Sequence, residues 1–327
     1  MNLIKKYKSC LPKIFILFFF ILMFSFPYAS YKGASSGLML WFLNVLPTLL
    51  PFIIISNMMI KLNIAGRISH MLYPILGRLF HISPNGSYPI LIGFLSGLPM
   101  GAKSTADLVC SGKIDNKEGN FLLSMCNNAS PIFIMSYIAT SQLKIPGIRL
   151  HLFFLIYGSS IISAISYRAY HNYKLKKIHA CLSICEISDN KQIEDSSSKF
   201  SFDLLDNSIM NGFEVITKIG GYIILFSILA QIINEIGTGF RLHKAIIMGI
   251  LEITTGIDQI CKIPIDTNIK IVLVSLLTSF GGLSGLAQTK SVLGKSRLSI
   301  KSYILVKLLS AFVAMLLTVL YVFCFRT

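Results

Sequence analysis

The chain has 327 residues, 54% of them hydrophobic and 13% charged, with a mean hydropathy of +0.69 and a formal net charge of +16. Soluble domains carry about a quarter charged residues, so this balance excludes an ordinary soluble fold and points to an integral membrane protein. The basic excess flanks apolar runs and forms no stripe interleaved with aromatic readers, which argues against a nucleic-acid binder and for basic loops on the cytoplasmic side.

Lys5, Lys6, Lys8 and Lys13 precede an apolar run over residues 14–26. That pattern fits either a cleaved signal peptide or, because further spans follow at once, a retained first span. The second expected span covers residues 37–60 and contains Pro47 and Pro51, which free backbone carbonyls for neighbours, water or a ligand. An amphipathic stretch at 68–82, with Arg67, His70, Arg78 and His81 on or beside it, is expected to lie along the cytoplasmic interface.

Between residues 88 and 142 the apolar pieces shorten to 88–100 and 130–138, broken by Gly and Pro. A polar helical pair is expected between them. Gly112 is placed to stop the first helix, and Asp115 with Glu118 has capping-box spacing for the second. A span over 149–167 precedes a polar linker at 168–199. Further spans are expected at 215–236, 244–261, 269–287 and 303–325, behind an amphipathic lead-in near Phe200.

Two halves are legible. Gly97-Leu98-Pro99-Met100-Gly101-Ala102-Lys103 aligns with Gly282-Leu283-Ser284-Gly285-Leu286-Ala287-Gln288, identical at three of seven positions. Each motif precedes a short polar helix ending in Gly (Gly112, Gly294), and each chain restarts at a capping residue, Asp115 or Ser299. With a cytoplasmic linker, residues 37–60 run inward and 215–236 outward, so the halves are expected to be inverted, a common plan of secondary transporters. Arg241, His243 and Lys244 would then face outside, against the usual charge bias.

Ser130-Pro131 is a helix start, with Ser at the N-cap and Pro in the first helical position. Asn127 and Asn128 precede it, and either line a polar solute site or stitch helices together. Lys103 follows the break at Pro99 and Gly101. A lysine at that depth either contacts a solute or ion or pairs with Asp107 one turn on. Gln288, its counterpart in the alignment, offers both donor and acceptor. Glu214, Glu235, Glu252 and Asp258 are the other acids near apolar segments, and either join a proton pathway or lie at span ends. His179, Cys181 and Cys185 cluster without a fourth ligand at suitable spacing. The seven cysteines show no framework spacing. No serine elbow, His-rich metal motif or phosphate loop is present.

The motif from Gly97 to Lys103, then Gly112-Lys113-Ile114, then Cys126-Asn127-Asn128-Ala129-Ser130-Pro131 resemble the YlbJ family of sporulation integral membrane proteins. Phe280-Gly281-Gly282-Leu283-Ser284 with Gln288 looks like the same family, and the resemblance covers roughly residues 38–320. It implies a multispan protein of endospore formers, needed in spore formation and assembly of the spore cortex. It also implies the nucleoside-recognition or Gate domain, without supplying a substrate. The family usually carries an aromatic where Leu98 stands, so a ring contact there is not assumed.

The expected fold is therefore all-α: a polytopic membrane protein of two related, inverted halves with interrupted or re-entrant helices. Residues 1–36 form a first helix and short loop, 37–167 the first repeat, 168–202 the cytoplasmic linker and 203–327 the second repeat. The expected function is a multi-pass cell-membrane transporter or permease for a small solute in sporulation; a non-transporting scaffold is the alternative. Lys103, Asn127, Asn128, Ser130 and Gln288 are the candidate solute contacts. Gly97, Pro99, Gly101, Pro131, Gly281 and Gly282 are the helix breakers. No catalytic residue, metal or cofactor is expected. Expected partners are membrane lipids, an unidentified small solute, and other sporulation membrane proteins or further copies of the chain.

Overall fold

A computed structural model of the chain describes residues 2–62, 64–179, 201–236, 239 and 241–325. The described residues are helical with no strand, and four helices, or five counting one bent pair, are long and apolar enough to cross a membrane. The chain is a multi-pass membrane protein, and its apolar side chains divide accordingly. Residues such as Ile53, Leu122 and Ile271 are buried between helices, whereas Phe154, Phe312 and Phe323 point outward, as lipid-facing residues do.

The first expected span is two helices. α1 (Asn2–Ser25) ends at Phe26, whose backbone leaves the helical region, and α2 (Pro27–Leu40) restarts on a proline. The pair is bent by 107°. α2 continues through a π-helical stretch, Trp41–Val45, into α3 (Leu46–Lys61). The wider register lies just ahead of Pro47, where the missing N–H interrupts the ordinary ladder. α4 (Ile64–Phe80) follows, with Met71, Ile75 and Leu79 exposed beside Arg67 and Arg78.

α5 (Ser87–Ser96) and α6 (Met100–Cys110) form a hairpin. Gly93 and Gly101 both lie against the Cys126 carbonyl. Eight residues of straight helix span about 12 Å, so one carbonyl touches both only because the chain has doubled back between them. Gly97 takes φ +77° and the Leu98–Pro99 peptide is cis at the tip. α7 (Asn116–Cys126) then climbs back, breaks at 127–130, and continues as a π-helical segment, Phe133–Gln142. α8 (Arg149–His179) runs on past the expected end at residue 167, so the first part of the expected linker is helical.

α9 (Phe202–Glu235) joins the amphipathic lead-in and the expected span in one helix, capped by the Ser201 hydroxyl. It lies antiparallel to α2 and α3: Gly33 meets Ile228, Trp41 Nε1 donates to the Ile216 carbonyl at 2.9 Å, and Asn57 bonds Asn211. The expected span at 244–261 is instead a second hairpin, α10 (Arg241–Leu251) and α11 (Ile253–Lys262). Gly249 and Gly256 meet backbone to backbone, which a straight helix forbids. The Glu252 carboxylate turns the chain by accepting from the Thr254 and Thr255 N–H groups. α12 (Thr267–Phe280) and α13 (Gly282–Val292) form an in-line span interrupted at Gly281 and Gly282, both at positive φ. α14 (Ile300–Phe325) closes the fold antiparallel to α8, with Ser159 meeting Ser310 and Tyr167 meeting Ser302.

The C-terminal end of α8 and the start of α9 mark what we term the linker face. The α5–α6 hairpin stands on that face: Glu118, in the first turn of α7, accepts from Ser83 N, and Asn120 accepts from Ser299 N. α10–α11 stands on the opposite face, beside the Asp266 cap that opens α12. Gly282 packs against Ile253 and the Leu251 carbonyl, so the second hairpin tip meets the α12–α13 break. Leu98 N donates to the Asn128 carbonyl at 2.6 Å, so the first tip meets the α7 break. The seven-residue alignment thus sets a hairpin tip against an in-line break.

Candidate functional site

The four interruptions converge. A cavity of about 400 Å³ is lined by Ser96 from α5, Ser130 from the restart after α7, Glu252 between α10 and α11, and Ser284 and Gln288 from α13. Ser130 takes its expected place, its hydroxyl accepting from Phe133 N at 3.2 Å, with Pro131 the first helical residue behind it. Gln288 is 8% exposed, and its amide donates to Ser284 Oγ at 3.0 Å.

Asn127 and Asn128 lie behind the cavity, fully within the protein. The Asn127 amide donates to Thr289 Oγ1 and to the Tyr303 hydroxyl, each at 2.8 Å, while its carbonyl oxygen accepts from Ala102 N at 3.3 Å. Asn128 donates to the Met125 carbonyl and accepts from Lys307 Nζ, both at 2.8 Å. These carboxamides take the place of the helical ladder that the break removes. They satisfy backbone groups that have no water to turn to at this depth.

Lys103 stands apart. Its ammonium donates to Asp107 Oδ2 at 2.8 Å and to Asn57 Oδ1 at 3.0 Å, and Asn57 in turn donates to Asn211. This cluster joins α3, α6 and α9. The structure brings four of the five candidates to one region and places Lys103 in an internal ion pair outside the cavity lining.

Four residues escaped the sequence reading. Lys307 is 1% exposed about two turns into α14; a lysine followed by a long apolar run hardly lowers its hydropathy. Thr289 and Tyr303 are conspicuous only through their partner 162 and 176 residues away. Ser96 is 4% exposed and its hydroxyl has no partner among the described residues. Glu252 was read as a span end, although the Thr-Thr pair that follows it is a local capping signal.

A second cavity, of about 350 Å³, lies toward the linker face between α7, α8 and the start of α14, lined by Asn120, Ser124, Tyr167, Arg168 and Ser302. Arg168 packs over the Phe121 ring and donates to the Phe80 and His81 carbonyls. Between the two cavities sit Asn127, Asn128, Thr289, Tyr303 and Lys307, all nearly or fully buried. Among the described residues no group of three or more His, Cys, Asp and Glu is arranged to hold a metal; Cys181 and Cys185 lie outside them.

The chain is 25% identical over 332 aligned residues to a sporulation integral membrane protein, YlbJ, of Bacillus subtilis (strain 168), across 94% of this chain and 81% of that protein. No family model and no solved structure matches it.

Proposed function

With the chain placed in the YlbJ family of sporulation integral membrane proteins, we propose that it serves in sporulation as a transporter or permease for a small solute. The observation that carries this reading is the convergence of four helix interruptions on one cavity, against which Ser96 packs with a buried hydroxyl that has no partner among the described residues. Interrupted helices meeting at membrane depth are how transporters present free backbone groups to a solute.

The chain directions support inverted halves in a register of their own. The first half reads span (α2–α3), hairpin from the linker face (α5–α6), broken span (α7 and the π-helical segment), span (α8). The second reads span (α9), hairpin from the opposite face (α10–α11), broken span (α12–α13), span (α14). Rocking of such halves would expose the cavities in turn. The scaffold reading draws on one observation: Asn127 already uses its carboxamide within the protein.

The test is deletion in the spore-forming host, followed by complementation with wild type, Ser96→Ala or Gln288→Ala. Heat-resistant spores are counted and membrane levels checked by blot. Ser96 makes no hydrogen bond to lose, so a scaffold tolerates Ser96→Ala. Normal membrane levels with failed spore formation support a solute site, whereas full rescue by both variants overturns it. Unchanged spore yield on deletion overturns the sporulation role.

A further inference from the structure

We propose that the mouth of the α10–α11 hairpin binds the phosphate of an anionic phospholipid headgroup, held among Arg241, Lys244 and Lys262. The site is a separate cavity at the membrane surface and does not depend on the transport reading.

A cavity of about 290 Å³ lies between the end of α9, the start of α10 and the end of α11. Arg241, Lys244 and Lys262 line it with Asn234 and Gln259, over the buried Met248, and its lining holds no carboxylate. Lys262 pairs at 2.5 Å with Asp258, which lies outside the lining and also accepts from the Gln259 amide. Lys244 Nζ donates to the Asn234 carbonyl at 3.4 Å, tying the start of α10 to the end of α9. Arg241 is exposed and belongs to none of the ion pairs among the described residues. Glu235, the acid next to Asn234, is exposed and lines no part of the cavity. A guanidinium fork flanked by two ammonium groups suits a tetrahedral oxyanion, whose several oxygens accept from all three at once.

Depth points to lipid as the source of that phosphate. The 11 residues of α10 reach about 16 Å, which is about half the hydrocarbon thickness of a bilayer. The hairpin tip meets the α12–α13 break, so the mouth stands at headgroup level. Ile236, beside the end of α9, and Ile247 on α10 are exposed, so acyl chains border both helices. With a cytoplasmic linker this is the translocated face, where Lys and Arg are normally scarce. Basic pockets between membrane helices hold phosphate headgroups, which gives these three cations a use on that face. A lipid seated there bridges α9, α10 and α11, and so braces a hairpin that enters the membrane without crossing it.

The experiment measures the melting temperature of the purified, delipidated full-length protein in a non-ionic detergent at constant ionic strength. It is titrated with phosphatidylglycerol, phosphatidylcholine and inorganic phosphate. Wild type is compared with Arg241→Gln/Lys262→Gln, both exposed positions, and with Lys295→Gln/Arg297→Gln, which removes the same charge from the linker face. The expected result is saturable stabilisation of wild type and of the linker-face variant by phosphatidylglycerol, about tenfold or more weaker in Arg241→Gln/Lys262→Gln. Inorganic phosphate that matches phosphatidylglycerol makes this a free-anion site and overturns the lipid assignment. Phosphatidylcholine that matches it overturns the requirement for an anionic headgroup. Equal weakening in the two double variants, weakening in neither, or no stabilisation of wild type overturns the site itself. If Arg241→Gln/Lys262→Gln does not fold, Arg241→Gln is titrated alone, and unweakened stabilisation by phosphatidylglycerol overturns the site.

Discussion

Gly249 and Gly256 pack backbone against backbone where α10 turns back into α11. A side chain on Gly256 meets the Gly249 backbone, which has no rotamer to yield. Gly256→Val is therefore expected to cost about 1–3 kcal/mol and lower the melting temperature in detergent. Gly221→Ala, with open space around its Cα, is the matched control and keeps wild-type stability.

Asn127→Ala strands Ala102 N and takes a donor from the Thr289 and Tyr303 hydroxyls, which keep their bonds to the Gly285 and Asn127 backbone carbonyls. The buried N–H left without a partner costs about 1–3 kcal/mol, and the two lost bonds add to it. Tyr303→Phe removes only one of these links. Thermal melts should rank wild type above Tyr303→Phe and Tyr303→Phe above Asn127→Ala; the reverse order of the two variants contradicts the network.

Lys103→Met leaves Asp107 without its cation, and Asp107→Asn should recover part of the loss. The side chain of Asp107 is 37% exposed, so solvent screening limits the pair to a coupling of about 1 kcal/mol in a double-mutant cycle. Because Lys103 lies off the cavity, spore yield in Lys103→Met should follow the amount of protein in the membrane. A fully inserted variant that makes no spores would return Lys103 to the solute path.

The α5–α6 hairpin brings Cys110, which is exposed, back to the linker face. In a background with the other cysteines removed, a membrane-impermeant maleimide should label Cys110 and an Asn172→Cys variant from the same side. It should label Ser141→Cys from the other. Labelling of Cys110 together with Ser141→Cys would mean that α5 and α6 cross the membrane as one span.

The breaks were legible where local chemistry announces them. Ser130-Pro131 opens a helix, Gly112 and Gly294 end short ones, and both glycines stand where φ is positive. The Asp115 cap formed as the spacing requires, but Glu118 reaches to Ser83 instead of returning to its own helix. The second hairpin was not legible, since residues 244–261 have the length and apolarity of a span. Only the contact between Gly249 and Gly256 shows that they fold back. Direction was the other missing quantity. Short glycine-rich identities carry no sign for whether the chain turns back or continues, so the alignment slipped by one element. Lys307 and Asn128, 179 residues apart, meet only in the folded chain.

That distance has a consequence for biogenesis. The carboxamides at the α7 break find Thr289, Tyr303 and Lys307 in α13 and α14, which are made well after them. Until α14 leaves the ribosome, the nascent first half holds a severed helix and two polar side chains without their final partners. Insertion must therefore run ahead of folding, with a waiting period at the translocon or in the care of another membrane protein. A product truncated before α14 leaves Asn127 and Asn128 without the Tyr303 and Lys307 partners that close the break.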